Sequence, residues 1–515
     1  MTKINAQNIK SSKRKVSTQP NTDITNEFAL LNPFIKLEPE NKELPEFLDI
    51  KAELPQPFWD NHQNTINCYW KTWEIAFSNL RKPKPKSGFV SNFIDSAFYE
   101  HLYMWDSAFI VLFGRYGTRV FNFQKTLDNF YAHQHEDGYI CRTIREVDGA
   151  DTMIKYEPSS TGPNILPWAE WEYFLHFENY DRLKNTFNPL LAFYQWFRTY
   201  RTWQNGTYYS SGWGSGMDNQ PRLPNKEDNP LYSHGHMSWI DTTLQQILVG
   251  KILIKMARIL DETEKVSSIE TEVNYLTQFV NEKMWDHENS FYYDMYKDGT
   301  LSKVKSVAAF WALIADIVPK DRLSAFIAHL KNEKEFNRPH RVPTLSADHE
   351  KYNSQGDYFR GGVWAPTNYM ILRGLNNVGE DALAHEIALN TLNNVVEVFN
   401  KTRTLWENYA PESASPGNPA KADMVGWTGL IPIAILFENV FGLRRGVKND
   451  ELIWDIRLLE KHGIKKYPFD KENVIDIVCD GRKNQEDEPK ISITSKLPFK
   501  IVMKWKGNKK VMNIQ

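Results

Sequence analysis

Residues 236–262 read His-Met-Ser-Trp-Ile-Asp-Thr-Thr-Leu-Gln-Gln-Ile-Leu-Val-Gly-Lys-Ile-Leu-Ile-Lys-Met-Ala-Arg-Ile-Leu-Asp-Glu. Apolar side chains at Ile240, Leu244, Ile247, Leu248, Ile252 and Met256 recur every three or four positions, the spacing that gathers them on one face of a helix. The same spacing recurs on both sides of this stretch. It marks segments near 64–81, 103–116, 118–134, 164–176, 180–204, 264–286, 303–316, 319–332, 362–376, 379–401 and 425–441, so the chain from about 60 to 442 is predicted helical. No fixed-period repeat relates these segments, which excludes a regular solenoid. Four long connections, 136–163, 205–235, 334–361 and 402–424, are rich in Gly, Pro, Asn and Trp. Connections of that length in a compact domain commonly carry function. Beyond residue 445 the pattern changes to strand-like alternation at Leu452–Ile456, Val474–Val478, Lys490–Thr494 and Lys500–Trp505. The expected class is all-α over residues 26–445, with a small β appendage over 446–515 that packs on the helical body or binds carbohydrate.

A chain of 515 residues allows two to four domains of roughly 100–200 residues, or one large domain with appendages. Aromatic residues make up 13%, including 17 Trp. Flat rings with a polar edge suit sugar-binding clefts, and they equally suit a large helical core. Lys and Arg number 62 against 64 Asp and Glu, a net charge of −2, so a general electrostatic grip on nucleic acid is not expected. Cys68, Cys141 and Cys479 are too few and too scattered for a disulfide scaffold or a Cys-based zinc site. No apolar run approaches the ~18 residues of a membrane-spanning helix. Residues 1–25 are polar, with a short basic run at Ser11-Ser12-Lys13-Arg14-Lys15, and lack the apolar core of a secretory signal. They read as a solvated, disordered tail, which makes the cytoplasm the expected location.

The chemistry concentrates in four segments. Ser211-Gly-Trp213-Gly-Ser-Gly216-Met217-Asp218-Asn219-Gln220-Pro221-Arg222 has three glycines in five positions, which permit unusual backbone angles and close approach of a ligand. Asp218 follows them, beside Trp213. A carboxyl group in a dry, aromatic pocket has a raised pKa, as a general acid requires; a loop Asp that caps a helix is the alternative. In Thr404-Leu405-Trp406-Glu407-Asn408-Tyr409-Ala410-Pro411-Glu412, Glu407 again lies between aromatics, with Glu412 a second candidate and a solvated loop Glu the alternative. In Tyr103-Met104-Trp105-Asp106-Ser107, Asp106 opens an apolar helix, either capping it or accepting two sugar hydroxyls. In Asp357–Tyr369, Gly361 and Gly362 bring backbone close to a partner between Arg360 and Trp364. Gln134–Tyr139 and Gly426-Trp427-Thr428 are lesser pieces. The pairs His133/His135 and His234/His236 face opposite ways on a helix, so no metal site is expected. Gly-x-Gly-x-x-Gly, P-loop and Gly-x-Ser-x-Gly motifs are absent, and no cofactor is expected.

Together these segments resemble the trehalase-like glycoside hydrolases of families 37 and 63. They are most similar to the family 63 group and its mannosylglycerate/glucosylglycerate hydrolase branch. The matching positions are Trp105-Asp106-Ser107, Gly216-Met217-Asp218-Asn219-x-Pro221-Arg222, Arg360-Gly-x-Val-Trp364 and Glu407-x-Tyr409 followed by Gly417, in the family's order and within residues 60–442. The resemblance implies an (α/α)6 barrel. The twelve helical segments agree with that number without testing it, because the family pattern guides where they are divided. It further implies an inverting α-glycosidase acting on a glucoside or a close epimer, in a short saccharide or a glycosylglycerate. Asp218 becomes the general acid and Glu407 the general base, their carboxyls ~6.5–9.5 Å apart to admit a water. Trp105, Asp106, Arg360 and Trp364 line the sugar subsite. Gln134 contacts hydroxyls, and Tyr103 and Trp213 form aromatic walls. Asn219, Arg222, Gly362, Tyr409 and Trp427 complete the substrate-binding set.

Two positions depart from the family pattern: Gln220 stands where Ser is common and Gly362 where Pro is common. The trehalase signatures are poorly met, and the membrane anchor and large N-terminal β domain of the eukaryotic processing glucosidase are missing, so neither activity is expected. Arg142, Arg145 and Lys155 are candidates for binding an acidic aglycone or are solvated surface. Two rival readings are a sugar epimerase or lyase on the same barrel and a non-catalytic sugar-binding protein. The first lacks a suitable Asp/His set or basic groove, and the second would lack one of the two carboxylates. The expected partner is a small carbohydrate, with neither nucleic acid nor membrane.

Overall fold

In the computed structural model, residues 25–97, 100–226, 228–446 and 450–515 are described. The polar tail expected over 1–25 lies, apart from Thr25, outside them. Helices form in the segments the apolar spacing marks: α1 (Gln63–Ser78), α2 (Met104–Gly114), α3 (Asp128–Ala132), α4 (Leu166–Phe177), α5 (Tyr180–Tyr200), α6 (Ile240–Ile259), α7 (Ser267–Lys283), α8 (Trp311–Ile314), α9 (Lys320–Ala328), α10 (Ala365–Asn377), α11 (Asp381–Thr402) and α12 (Ile431–Val440), the last wound as a π-helix, while the helix expected over 303–316 shortens to the 3₁₀ turn Val307–Phe310 and α8. The helix expected from 118 begins only with the 3₁₀ turn Phe123–Leu127. Before it, Val120 N–H turns back to the Gly117 carbonyl at 2.9 Å and closes a tight turn instead. Among the described residues no helix is long and apolar enough to cross a membrane.

The helices are of two kinds. Every residue of α2 is buried, and α4, α6, α8, α10 and α12 are buried on almost all sides. In α7, by contrast, only Ile269, Val273, Leu276 and Val280 are buried, one stripe at three- and four-residue spacing. A helix apolar all round belongs inside; a striped one lies on the outside with its other face in water. The contacts follow that division. α2 packs on α4, α4 on α6, α6 on α8, α8 on α10, α10 on α12 and α12 on α2, so the buried helices close a ring. α1, α5, α7 and α11 pack outside it. At the C-terminal end of α2 the ring is tied by charge. Arg115 donates to Glu438 of α12 at 2.5 Å and to Glu172 of α4 at 3.3 Å, and Arg373 of α10 donates to Glu172 at 2.8 Å. The opposite end of α2 holds Trp105 and Asp106.

The strands beyond the helices form two four-stranded sheets. One is antiparallel and pairs β1 (Gln56–Trp59) with β4 (His462–Pro468), then β5 (Val474–Cys479) and β6 (Ile491–Thr494). The other runs β2 (Leu443–Arg445), β3 (Glu451–Asp455), β7 (Phe499–Trp505), β8 (Asn508–Ile514), with β3 and β7 parallel. β3, β5, β6 and β7 are the four strands expected from alternation. β4 escapes that reading because its register shifts between Ile464 and Tyr467, and β8 because it is a largely exposed edge carrying Lys509 and Lys510. The sheets also recruit residues 56–59 and 443–445 from outside the 446–515 span.

Candidate active site

The two-stranded pair His101–Tyr103 with Thr143–Arg145 delivers the chain to the start of α2. Tyr103 takes the cap position of that helix and Asp106 lies inside its first turn, so Asp106 is not the cap. The glycine-rich segment builds its own turn. Ser211 Oγ accepts the Gly214 N–H at 3.1 Å and starts the short helix Gly212–Ser215, and Gly216 ends it in the left-handed region at φ 72°. A Cβ on Gly216 would stand 2.9 Å from the Trp105 ring. Glycine is therefore required there for both conformation and contact, and Asp218 follows two residues on.

Glu407 is placed by a different set of bonds. Its N–H donates to the Lys421 carbonyl at 2.8 Å, and Val363 and Tyr409 exchange backbone hydrogen bonds of 2.9 and 3.0 Å beside it. Tyr358 Oη donates to Glu407 Oε1 at 2.8 Å, the Lys421 N–H donates to Oε2 at 3.0 Å, and Trp427 Nε1 donates to its carbonyl at 2.8 Å. Tyr358 also walls a cavity of about 330 Å³, in the range of small-ligand sites. Tyr103, Trp105, Asp106, Trp213, Asp218, Trp364 and Trp427 line it, together with Arg142, Gly216 and Phe359.

Asp106 and Asp218 both feel the Glu407 charge here. Burial pushes Asp218 up to about 6; the Arg142 charge opposes this and the Glu407 charge adds to it. Burial pushes Asp106 up to about 7, against a hydrogen bond with Ser96 and with help from Glu407. Burial also raises Glu407, while its bonds from Tyr358 and the Lys421 N–H favour the charged form. Burial and the Glu407 charge raise the Tyr358 phenol, so it stays a neutral donor.

A model of the mannosylglycerate hydrolase MGH1-like glycoside hydrolase domain matches residues 99–428. The chain belongs to that family. An uncharacterized protein of Borreliella burgdorferi is 24% identical over 379 residues, which cover 72% of this chain and 77% of the relative. A probable mannosyl-oligosaccharide glucosidase of Schizosaccharomyces pombe is 26% identical over 290 residues, half of this chain but only 35% of that longer protein. The crystal structure of a family 63 mannosylglycerate hydrolase from Thermus thermophilus with glucose superposes with a TM-score of 0.57 at 19% identity, covering 71% of this chain and 99% of that one. The protein is thus a glycosidase of the trehalase-like group, as its motifs implied, built on a predominantly helical fold.

Several residues expected at the glycosidase's sugar site do other work. Gln134 is buried away from the cavity, donating to the Pro189 and Gly138 carbonyls at 2.8 and 3.1 Å and accepting from Asn32. Arg222 is fully enclosed: it holds Asp241 and Asp294 through four bonds of 2.6–2.8 Å and stacks 4.3 Å from the Trp239 ring. Such an ion triad fixes the acid-bearing loop to α6 rather than touching a ligand. Tyr409 is buried, its hydroxyl accepting the Trp406 N–H at 3.2 Å. Arg360 lies outside the cavity wall, bonded to the Asn219 carbonyl and Asp357. Gly362 is needed for space, since a Cβ would stand 2.3 Å from the Tyr358 carbonyl. Glu412 is clamped by Arg338 at 2.7 and 2.8 Å, which holds it below the ordinary carboxylate range.

Tyr358 and Arg142 are among the wall residues with no sugar role in the sequence reading. Tyr358 lies inside the quoted Asp357–Tyr369 segment, where Arg360 and Trp364 drew the attention. Arg142 is separated from every motif and reaches the cavity because it directly precedes the strand Thr143–Arg145, which pairs with Tyr103, and its carbonyl accepts the Met104 N–H at 2.9 Å. Its guanidinium lies 4.9 Å from the Trp213 ring. Arg145 and Lys155 turn instead to Asp148 and Asp137, at 2.5 and 2.7 Å.

Proposed function

We propose that the protein is an inverting α-glycosidase on an (α/α)6 barrel, with Asp218 as general acid and Glu407 as general base. The observation that carries this reading is the pairing of unlike carboxyl environments: Asp218 in the wall of the Trp-rich cavity, and Glu407 hydrogen-bonded to Tyr358 of that wall. Asp218 is dry and raised to about 6, so a proton is available to the departing oxygen. Glu407 accepts two hydrogen bonds, which support the ionised form that activates a water. The closed ring of buried helices with an outer layer supports the barrel. Asp106, buried beside Trp105 and raised to about 7, has the surroundings of a group that holds sugar hydroxyls. Arg142 in the cavity wall favours an acidic aglycone over a neutral one, so a glucosyl- or mannosylglycerate is the preferred substrate class.

Asp218→Asn and Glu407→Gln should each lower turnover of an α-glycosylglycerate by at least ~10³-fold while the circular dichroism of the folded protein is kept. Proton NMR of the first-formed sugar should show the β anomer. Normal turnover in either variant, or an α product, overturns the reading. The alkaline limb of kcat/KM should fall near pH 6, where Asp218 ionises in the free enzyme.

A further inference from the structure

The acid and base segments are linked by a bond path that the catalytic reading does not use. Asn219, the neighbour of Asp218, brackets Tyr358: its Nδ2 donates to the Asp357 carbonyl at 2.9 Å, and its Oδ1 accepts the Phe359 N–H at 2.9 Å. Arg360 Nε adds a third bond, to the Asn219 carbonyl at 3.3 Å. Between these anchors the backbone is left-handed at two successive residues that are not glycine, Asp357 at φ 36° and Tyr358 at φ 63°. Such conformations are unfavourable and persist only where surrounding bonds over-determine them. The Tyr358 carbonyl is pinned as well, accepting the Gly362 N–H at 3.1 Å and Trp364 Nε1 at 3.2 Å. The product of this turn is the aim of one hydroxyl, Tyr358 Oη, at Glu407 Oε1.

We infer that Asn219 and Tyr358 are positioning residues that set the Glu407 carboxylate from the loop carrying Asp218, so that acid and base are placed as one unit. The inference rests on the catalytic reading above. An amide at 219 suits the task because it gives one donor and one acceptor to the two backbone groups flanking Tyr358. The charged and titratable groups facing Glu407 are Tyr358, Lys421, Asp106 and Asp218. Lys421 donates its backbone N–H to Oε2 of that carboxylate, and Tyr358 donates its hydroxyl to Oε1. Without that donor the carboxylate loses a partner that favours its charged form and is freer to turn from the water it activates.

The test is a double-mutant cycle on an α-glycosylglycerate, with pH profiles and thermal melts for each protein. Tyr358→Phe should lower kcat by about 10- to 100-fold, leave KM within about threefold, and move the acidic limb of kcat/KM upward. Asn219→Ala should move kcat and the same limb in the same direction, because it releases the turn that aims the hydroxyl. The double variant should be no slower than Tyr358→Phe alone. Should Asn219→Ala fail to fold, Asn219→Ser takes its place in the cycle. An unmoved acidic limb in either single variant, or effects that multiply in the double variant, overturns the inference. Glu407→Gln separates the two readings. If it is inactive while Asn219→Ala and Tyr358→Phe behave like the unmodified protein, only the positioning inference fails; if it is fully active, the catalytic reading fails first.

Discussion

Asp106 illustrates how burial decides what a carboxyl group does. It sits in the first turn of an enclosed helix with its pKa raised from 3.8 to about 7. The folded state therefore binds its proton more tightly than the unfolded chain does. Stability from this group is complete below pH ~4 and is lost as the pH rises through about 7, since the native state must then hold an ionised carboxylate in a dry site. Asp106→Asn removes that titration. Its stability relative to the unmodified protein should improve from pH 4 to about pH 7 and level off above that, with turnover falling because one of the two acceptor oxygens becomes an amide donor. Urea unfolding at four pH values reads the difference, and parallel curves would contradict it. Asp218 titrates in the same direction with a smaller rise, so part of the slope should survive in Asp106→Asn.

The turn around Gly216 couples loop geometry to the site. A side chain there meets both a left-handed backbone and the Trp105 ring. Gly216→Ala should cost ~1–2 kcal/mol from the backbone conformation. It should also cost activity, because Trp105 must move and Asp218 follows two residues later. A melt together with kcat/KM checks both, and an active variant with an unchanged melting temperature would show that the turn is not tight. Much of this segment is legible in the chain. Three glycines, a Trp and an Asp announce a ligand loop, and Trp213, Gly216 and Asp218 line the cavity. What cannot be read is which neighbours serve the ligand and which serve the framework. Arg222 carries charge in a recognisable motif, yet its partners Asp241 and Asp294 are 19 and 72 residues away. Tyr358 looks like one aromatic among many until its hydroxyl is found 49 residues further on, at Glu407.

Across the ring of helices, Arg115, Glu172, Arg373 and Glu438 form a buried charged cluster joining α2, α4, α10 and α12. Removing one member leaves an uncompensated buried charge, which costs ~3–5 kcal/mol. Glu438→Ala should therefore lower the unfolding midpoint sharply in denaturant, while KM of the surviving folded fraction stays unchanged because the cluster lies at the end of α2 opposite Asp106. A midpoint within experimental error of the unmodified protein would contradict this account. Most of the helices and four of the strands follow from local spacing, because burial of one face imposes its period directly on the chain, whereas the burial of helices such as α6 on almost all sides is decided by the helices around them. The Trp-Asp, Gly-Met-Asp and Trp-Glu segments point to a carbohydrate site through their family resemblance, since residue type alone leaves a helix cap or a solvated loop open. The assignment of Gln134 to packing, Arg142 to the cavity wall and Glu412 to an ion pair arises from contacts between distant segments, and one-dimensional order carries no record of which side chains those contacts enclose.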